Sequence, residues 1–214
     1  MKFGNYEVNT VVVPGMGTNC YVLSFNNKAI LVDAAADGQL LIDYIANKQL
    51  DLISILITHG HYDHIEALDL LYDNYKDVKI YACIDEKEVI ENEKLSLMGH
   101  RLKGPVEKSI IYLKDGAVIN ELGLDIKIIS TPGHTVGSCC YYIKDINLMF
   151  SGDTLFRQTY GRTDLPTGDQ DTIVYSITRK LMEFDDDLLV LPGHGFRTTI
   201  GYERTHNDIV INHI

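Results

Sequence analysis

Three histidines and an aspartate lie within six positions of this chain, in the run His59-Gly60-His61-Tyr62-Asp63-His64. The largely apolar residues 52–57 come directly before it and are typical of a buried strand. Neither packing nor helix capping calls for so many imidazoles together, and imidazoles repel one another when protonated. Because neutral imidazoles and carboxylates bind divalent metal ions, the run predicts a metal site.

Three further residues of ligand type follow other predicted strands. They are His134 in Thr-Pro-Gly-His-Thr, Asp153 in Ser-Gly-Asp-Thr and His194 in Pro-Gly-His-Gly. Glycine beside each of them allows the tight turns that bring loop side chains inward. Together with the first run they make seven candidate ligands, a number that suits two ions: His59, His61, Asp63, His64, His134, Asp153 and His194.

Spacing divides these candidates between the two ions. His59 and His61 are two residues apart in a loop and can converge on a first ion, which His134 would complete. The start of the following helix and the last motif would supply the ligands of a second ion: Asp63, His64 and His194. Asp153 is then the predicted bridge, because a carboxylate has two oxygens to share. Each ion would keep an open coordination position, which is typical of a catalytic site.

The elements that must position these residues alternate between strands and helices. Strands are predicted at 7–13, 19–24, 29–32, 53–57, 78–84, 109–113, 117–119, 125–130, 139–143, 148–150 and 188–191. Helices are predicted at 39–46, 65–72 and 172–182, with others opening at 85 and near 198. We expect an α/β fold in which two β-rich halves pack sheet against sheet with helices outside, a four-layer α/β/β/α sandwich. No linker divides it, so we expect one domain over residues 1–214.

Composition excludes several functions. The net charge is −11, from 30 acidic and 19 basic residues, and no basic stripe is visible, so we expect no nucleic-acid partner. The N-terminus shows no apolar signal region, and no apolar run approaches the ~20 residues of a membrane helix. We therefore expect no membrane association. The four cysteines lack CxxC spacing and are expected to be reduced and buried in a cytoplasmic protein. No pattern indicates the oligomeric state.

The metal motifs together resemble those of the metallo-β-lactamase superfamily, from about residue 10 to residue 205 and in the expected order. The resemblance implies the four-layer sandwich and a role for Asp33 in orienting a histidine ligand from behind. Many true β-lactamases carry cysteine at the position of Asp153, which argues against antibiotic hydrolysis as the main role. Flavodiiron proteins carry glutamate at the position of His61, so that branch fits poorly.

Residues 152–156, 161–166 and 193–204 resemble the short glyoxalase II-like hydrolases. The resemblance implies hydrolysis of a small thioester of the hydroxyacyl-thiol type, in which a metal-bridging hydroxide attacks the carbonyl and two aspartates are catalytic. It implies two divalent metal ions, with zinc expected first and iron or manganese as alternatives. The implied catalytic residues are Asp63 and Asp153. Three residues shortly after Asp153 are candidate substrate contacts: Arg157, Tyr160 and Arg162. A local salt bridge between Arg162 and Asp164 is the competing interpretation of the last contact.

Other interpretations stay open at this point. Full-length glyoxalase II has a C-terminal helical domain that supplies much of the glutathione pocket, and we expect none here, which leaves the thiol half of the substrate undefined. The persulfide dioxygenases resemble the chain in the same motifs, with a single iron at residues matching His59, His134 and Asp153. A lactonase is a third possibility, and a non-catalytic binding module would be expected to lack ligands. Residues 93–108 form either a loop over the site or an ordinary connection.

Overall fold

The computed structural model describes residues 1–213 and contains two large β-sheets. Seven strands form the first sheet in chain order: β1 Lys2–Phe3, β2 Tyr6–Val13, β3 Thr18–Phe25, β4 Lys28–Val32, β5 Asp51–Leu56, β6 Lys79–Cys83 and β7 Ile110–Leu113. Strands β1 to β4 pair antiparallel, whereas β4 to β7 run parallel to one another. Parallel strands end at the same edge, so loops that follow β4 and β5 lie side by side.

Six strands form the second sheet. In chain order they are β8 Val118–Glu121, β9 Leu124–Ser130, β10 Cys139–Ile143, β11 Leu148–Gly152, β14 Leu189–Pro192 and β15 Thr198–Thr199. Their order across the sheet is β15-β14-β11-β10-β9-β8, and only β11 and β14 pair in parallel among these neighbours. A separate hairpin joins β12 Leu155–Phe156 to β13 Thr159–Tyr160.

The described residues also form eight α-helices. They are α1 Gly38–Asn47, α2 Tyr62–Ile65, α3 Leu68–Asn74, α4 Lys87–Ile90, α5 Gly104–Ser109, α6 Gln170–Arg179, α7 Ile200–His206 and α8 Asp208–Ile211. No helix among residues 1–213 is long and apolar enough to cross a membrane. The four cysteines are buried and unpaired, as their spacing predicts.

Three apolar clusters define the layers of the fold. The central cluster lies between the sheets and includes the fully buried Tyr141 and Phe150. A second cluster joins the outer face of the first sheet to α1 and α3 through Leu41 and Leu68. A third joins the outer face of the second sheet to α6 through Ile173. The two sheets are therefore covered by helices on both outer faces, which confirms the predicted four-layer α/β/β/α sandwich.

The helix expected to open at 85 begins at Lys87, after a 3₁₀ turn over Ile84–Glu86, and two other predicted helices differ in their bounds. The helix expected over 65–72 is divided into α2 and α3, because the Ala67 amide donates to the Ala34 carbonyl instead of continuing the helical ladder. The helix expected over 172–182 begins at Gln170 and ends at Arg179. Asp169 sets its start, since this side chain accepts a hydrogen bond from the Thr172 amide as an N-cap.

Backbone contacts join the two sheets at the end where the ligand-type residues lie. The Cys139 amide donates to the Thr58 carbonyl at 2.9 Å, and the Asn19 amide donates to the Gly193 carbonyl at 2.7 Å. An isolated antiparallel bridge also pairs Thr18 with His194. The loops that follow strands of both sheets are thus held against each other, and a side chain from one sheet can meet side chains from the other.

Candidate metal centre

Three imidazoles from two loops converge to form what we call the first cluster, which consists of His59, His61 and His134. The His134 Nε2 atom lies 3.2 Å from His59 Nε2 and 2.9 Å from His61 Nδ1. Ligands at the corners of a tetrahedron with metal–nitrogen bonds of 2.0–2.1 Å are about 3.3 Å apart. The three nitrogens therefore have the spacing of ligands around one small cation.

Four further side chains lie beside the first cluster and form what we call the second cluster, which consists of Asp63, His64, Asp153 and His194. The Nε2 atoms of His64 and His194 are 3.4 Å apart. Asp63 Oδ2 lies 3.3 Å from His194 Nε2 and 3.6 Å from His64 Nε2. The two histidines and Asp63 come from the start of α2 and from the loop after β14, so the second cluster depends on contact between the sheets.

Asp153 is the member of the second cluster that also faces the first cluster. Its Oδ2 atom is 3.6 Å from His134 Nε2 and 3.5 Å from His194 Nε2, and its Oδ1 atom is 3.5 Å from His64 Nε2. Gly193 permits this placement, because a Cβ at that position would stand 2.2 Å from Asp153 Oδ1. The carboxylate can therefore face ligands of both clusters at once, which is the geometry that a bridging ligand needs.

Asp33 holds the second cluster from behind. It is buried, and its Oδ2 atom lies 2.8 Å from His64 Nδ1, while Oδ1 accepts the Thr58 amide hydrogen at 2.8 Å. The Thr58 hydroxyl also donates to this carboxylate. A carboxylate at Nδ1 holds a ring proton there, so Nε2 is the nitrogen of His64 that a metal ion would bind once its own proton is displaced. His134 is oriented similarly, since its Nδ1 atom lies 2.7 Å from the Arg162 carbonyl oxygen.

The histidines of the two clusters differ in the direction of their pKa shifts. Burial and neighbouring imidazoles lower the pKa of His59 well below its usual range, and they lower the pKa of His61 to about 3. Burial also acts to lower the pKa of His64, but Asp153 and Asp33 outweigh it and raise that pKa to about 10. The first cluster therefore consists of neutral imidazoles with free lone pairs. In the second cluster, the neighbouring carboxylates favour a protonated His64, and a metal ion would have to displace that proton to bind.

The donor set of the two clusters fits divalent ions. Five imidazoles and two carboxylates are ligands that suit zinc and iron alike. All seven residues fall into sets of three whose ligand atoms lie within 4.8 Å of one another. The buried Asp153 Oδ1 atom has no hydrogen-bond partner, and buried polar atoms are rarely left in this state unless they have a role. A cation held by the second cluster would provide the missing partner.

A cavity of about 400 Å³ opens above the clusters. Ligand-type residues of both clusters form part of its wall. The rest consists of Tyr62, Arg162 and four apolar side chains: Met16, Leu97, Phe156 and Leu165. Leu97 belongs to the segment 93–108, and the neighbouring Ser96 carbonyl accepts a hydrogen bond from the Tyr62 amide. Leu102 and Val106 anchor the same segment in the core. The segment therefore contributes a side chain to the cavity and a helix turn to the fold.

The three candidate substrate contacts lie in different places. Arg162 lines the cavity, and its guanidinium donates to both carboxylate oxygens of Asp164 at 2.7 Å each. Arg157 lies outside the cavity wall and stacks over the Tyr202 ring, 4.6 Å from its centroid. Tyr160 is also outside that wall, and its hydroxyl accepts a hydrogen bond from the first residue of α6. Of the three, only Arg162 lines the cavity.

Several residues that position the site carry no signal in the sequence. The Thr18 hydroxyl donates to Asp63 Oδ2 at 3.1 Å. Asn19 Nδ2 donates to the carbonyls on both sides of the last ligand loop, at Pro192 and Gly195, each at 3.0 Å. Their types are ordinary for strand ends, so only their partners, which are distant in the chain, reveal the role. Glu86, a buried glutamate directly after β6, belongs to the same group.

Comparison with known proteins agrees with this geometry. A family model described as the metallo-beta-lactamase superfamily matches residues 13–194. The probable metallo-hydrolase YqgX of Bacillus subtilis (strain 168) is 36% identical over 192 residues, covering 88% of this chain and 90% of that protein. The hydroxyacylglutathione hydrolase GloC of Haemophilus influenzae is 31% identical over 206 residues, covering 94% and 96%. The chain belongs to the metallo-beta-lactamase superfamily.

Solved structures support the same assignment. The crystal structure of BLEG-1 B3 metallo-beta-lactamase superposes with a TM-score of 0.84 at 30% identity, covering 95% of this chain and 99% of that one. The crystal structure of TTHA1623 in a di-iron-bound form superposes with a TM-score of 0.81 at 27% identity, covering 94% and 99%. The protein is thus a metallo-hydrolase-type member of this superfamily with a histidine and aspartate cluster suited to divalent metal ions.

Proposed function

We propose that this protein is a dinuclear metal-dependent hydrolase that cleaves a small thioester of the hydroxyacyl-thiol type. One observation carries the proposal: two clusters of ligand-type side chains share Asp153 at the wall of an open cavity. When bound, a pair of divalent ions would supply Lewis acidity and lower the pKa of bound water toward neutrality. The similarity to GloC, which is named a hydroxyacylglutathione hydrolase, supports the thioester as the substrate class.

In this proposal the residues of the chain have distinct roles. His59, His61 and His134 would hold the first ion, and the lowered pKa values of the first two keep them neutral for binding. Asp63 and Asp153 would be the catalytic carboxylates: Asp153 faces both clusters, and Asp63 Oδ2 faces the histidines of the second cluster. Asp33 would fix the tautomer of one histidine of that cluster. Zinc is the expected metal, with iron or manganese as alternatives.

The cavity wall supports a proposal for the thiol half of the substrate. Arg162 is the one lysine or arginine among the described residues that line this cavity, and Asp164 already neutralises it. Glutathione carries two carboxylates, which such a wall would not pair. The apolar side chains of the wall suit a thiol with fewer anionic groups. We therefore propose that the preferred thioester carries a smaller or less acidic thiol than glutathione.

A second candidate is oxygen-dependent chemistry at iron. It is favoured by the TTHA1623 crystal structure, whose description names a di-iron-bound form, and by the suitability of histidine and aspartate for iron. A single-iron dioxygenase of the persulfide type would require only His59, His134 and Asp153. The presence of the remaining four ligand-type residues beside them favours two ions, and therefore the hydrolase.

The test combines metal analysis with a substrate panel. Natively purified protein is quantified for zinc, iron and manganese, and the same sample is assayed with lactoyl thioesters of glutathione and of N-acetylcysteamine, a lactone and a β-lactam. We expect two metal ions per chain and fastest turnover of the neutral thioester. Oxygen consumption with a persulfide, together with one iron per chain and no thioester turnover, would refute the hydrolase in favour of the dioxygenase.

A further inference from the structure

Glu86 is a buried carboxylate that the proposed reaction does not use. It is 1% exposed and ends a short 3₁₀ turn, Ile84–Glu86, directly after β6. Burial raises the pKa of Glu86 to about 7, partly offset by hydrogen bonds. An ionisable group in such a place is costly to bury, so its position calls for a structural or functional reason.

The hydrogen bonds of Glu86 reach two different loops. Its Oε1 atom accepts the Gly60 amide hydrogen at 2.7 Å. Its Oε2 atom accepts the Gly137 amide hydrogen at 2.8 Å and the Thr135 hydroxyl hydrogen at 2.8 Å. These donors are 26, 51 and 49 residues away in the chain. A single carboxylate thus ties together segments that the sequence keeps apart.

The same two loops carry the whole first cluster. Gly60 is the residue between His59 and His61, and Thr135 directly follows His134. The hydrogen bonds of Glu86 therefore go to residues adjacent to the three imidazoles in the chain or, for Gly137, in the same loop. The remaining ligand-type residues come from the start of α2 and from the loops after β11 and β14, to which the Glu86 side chain makes no hydrogen bond within residues 1–213.

Close packing shows that this arrangement tolerates little movement. A Cβ on Gly137 would stand 2.1 Å from the Glu86 backbone nitrogen, and a Cβ on Gly60 would stand 2.8 Å from a side-chain carbon of Ile90 in α4. Gly137 lets its loop approach the turn that carries the carboxylate, and Gly60 lets its loop approach the helix α4 that follows this turn. Ser138 closes the second loop further, because its hydroxyl accepts the Thr135 amide hydrogen at 3.0 Å.

We propose that Glu86 is a positioning residue that sets the metal affinity of the first cluster by tying the His59–His61 loop to the His134 loop. This inference rests on the proposed metal assignment. It gives Glu86 a role like that of Asp33, whose carboxylate lies against His64 of the second cluster. Partners of this kind, which orient ligands without touching the metal, typically contribute 10–100-fold to metal affinity.

The test measures zinc binding to each cluster separately. Metal-free protein is titrated with zinc against a chromophoric chelator in two backgrounds: His194→Ala, which impairs the second cluster, and His134→Ala, which impairs the first. Glu86→Gln keeps the shape of the side chain but replaces one acceptor oxygen by an NH₂ group, which then faces a backbone N–H and cannot accept its hydrogen bond. We expect it to weaken zinc binding about 10–100-fold in the His194→Ala background and by less than about threefold in the other.

Matched variants separate positioning from general stability. Glu121 is also buried, at 5% exposure, and accepts hydrogen bonds from Tyr81 and Lys79 away from the ligand loops, so Glu121→Gln should leave zinc affinity unchanged. Glu86→Asp should give an intermediate loss, because the charge remains but its reach is shorter. Should Glu86→Gln fail to fold, Thr135→Val removes one donor and should weaken the first cluster about three- to tenfold.

The outcomes distinguish this inference from the proposed function. Equal losses in both backgrounds, or an equal loss in Glu121→Gln, would overturn the positioning role, because either would indicate a general effect on stability. Unchanged first-cluster affinity in folded Glu86→Gln would overturn it as well, while the wild-type protein could still bind two ions and cleave a thioester. Absence of zinc binding by the wild-type protein would overturn the metal assignment and this inference together.

Discussion

Replacement of Asp33 by asparagine tests whether a carboxylate behind His64 controls the second cluster. Asp33 is buried and has a φ of +61°, a backbone region that asparagine and aspartate both tolerate. The substitution therefore changes the side-chain chemistry without adding backbone strain. The oxygen of the introduced side-chain amide can still accept the Thr58 amide hydrogen, but its nitrogen then faces His64 Nδ1, where a carboxylate oxygen stands 2.8 Å away in the native protein.

The magnitude follows from this one contact. A nitrogen donor at Nδ1 favours the tautomer with its proton on Nε2, the atom that faces His194 and Asp153, and that tautomer cannot bind a metal ion through Nε2. A hydrogen bond to a charged group contributes about 1.5–3 kcal/mol. Since every 1.4 kcal/mol is a factor of about ten, we expect second-cluster affinity to fall by about 10–100-fold.

The assay is zinc titration of metal-free Asp33→Asn protein, with thioester turnover measured on the loaded sample. We expect one weakened zinc site, one site near wild-type affinity and a loss of kcat. Asp115→Asn is the matched control, because Asp115 is exposed and accepts the Ser130 amide hydrogen away from both clusters. Wild-type affinity at both sites in a folded Asp33→Asn protein would refute the reasoning that Asp33 sets the histidine tautomer.

Three other predictions concern the bridge, the cavity charge and the metal itself. Asp153→Ala should reduce both metal occupancy and turnover severely, whereas His100→Ala, at an exposed position, should change neither; near-normal turnover in the first variant would contradict the bridging role. Asp164→Asn should free the Arg162 guanidinium and raise kcat/KM for a glutathione thioester by about two- to threefold at low ionic strength. The neutral thioester should be unaffected and the gain should fade with salt, so an equal gain on both substrates would exclude the charge explanation. Removal of metal by a chelator should lower Tm, and zinc at about 100 times its Kd should restore about 2.7 kcal/mol of stability per site, which thermal unfolding measures; an unchanged Tm would argue against a bound ion.

Local sequence patterns are sufficient to predict the fold class and the set of candidate ligands. Apolar runs that end in Gly, Pro and His motifs indicate the loops after β5, β9, β11 and β14 without any knowledge of how the sheets pack. The seven ligand-type residues proposed from those motifs lie together in the structure. Such motifs are sufficient because a strand is recognised from a few consecutive residues. A strand is also extended and stiff, so a polar residue just beyond its end is confined to one edge of the sheet.

Tertiary structure alone decided which side chains support the site and which turn away from it. Arg157 is close to Asp153 in the sequence, yet it stacks on Tyr202, which lies 45 residues further along the chain. Glu86 looks like an ordinary acidic residue at the opening of a helix, yet its carboxylate binds the backbone of two loops up to 51 residues away.

The same distinction explains the break between α2 and α3, where the Ala67 amide bonds to Ala34 across the chain instead of within a helix. Hydrophobic period and turn chemistry report on neighbours a few residues apart. A hydrogen bond that closes a long loop depends on how two sheets pack, and packing is a property of the whole chain. The sequence by itself determined the ligand types and the layers, and the packed structure determined how those ligands are held.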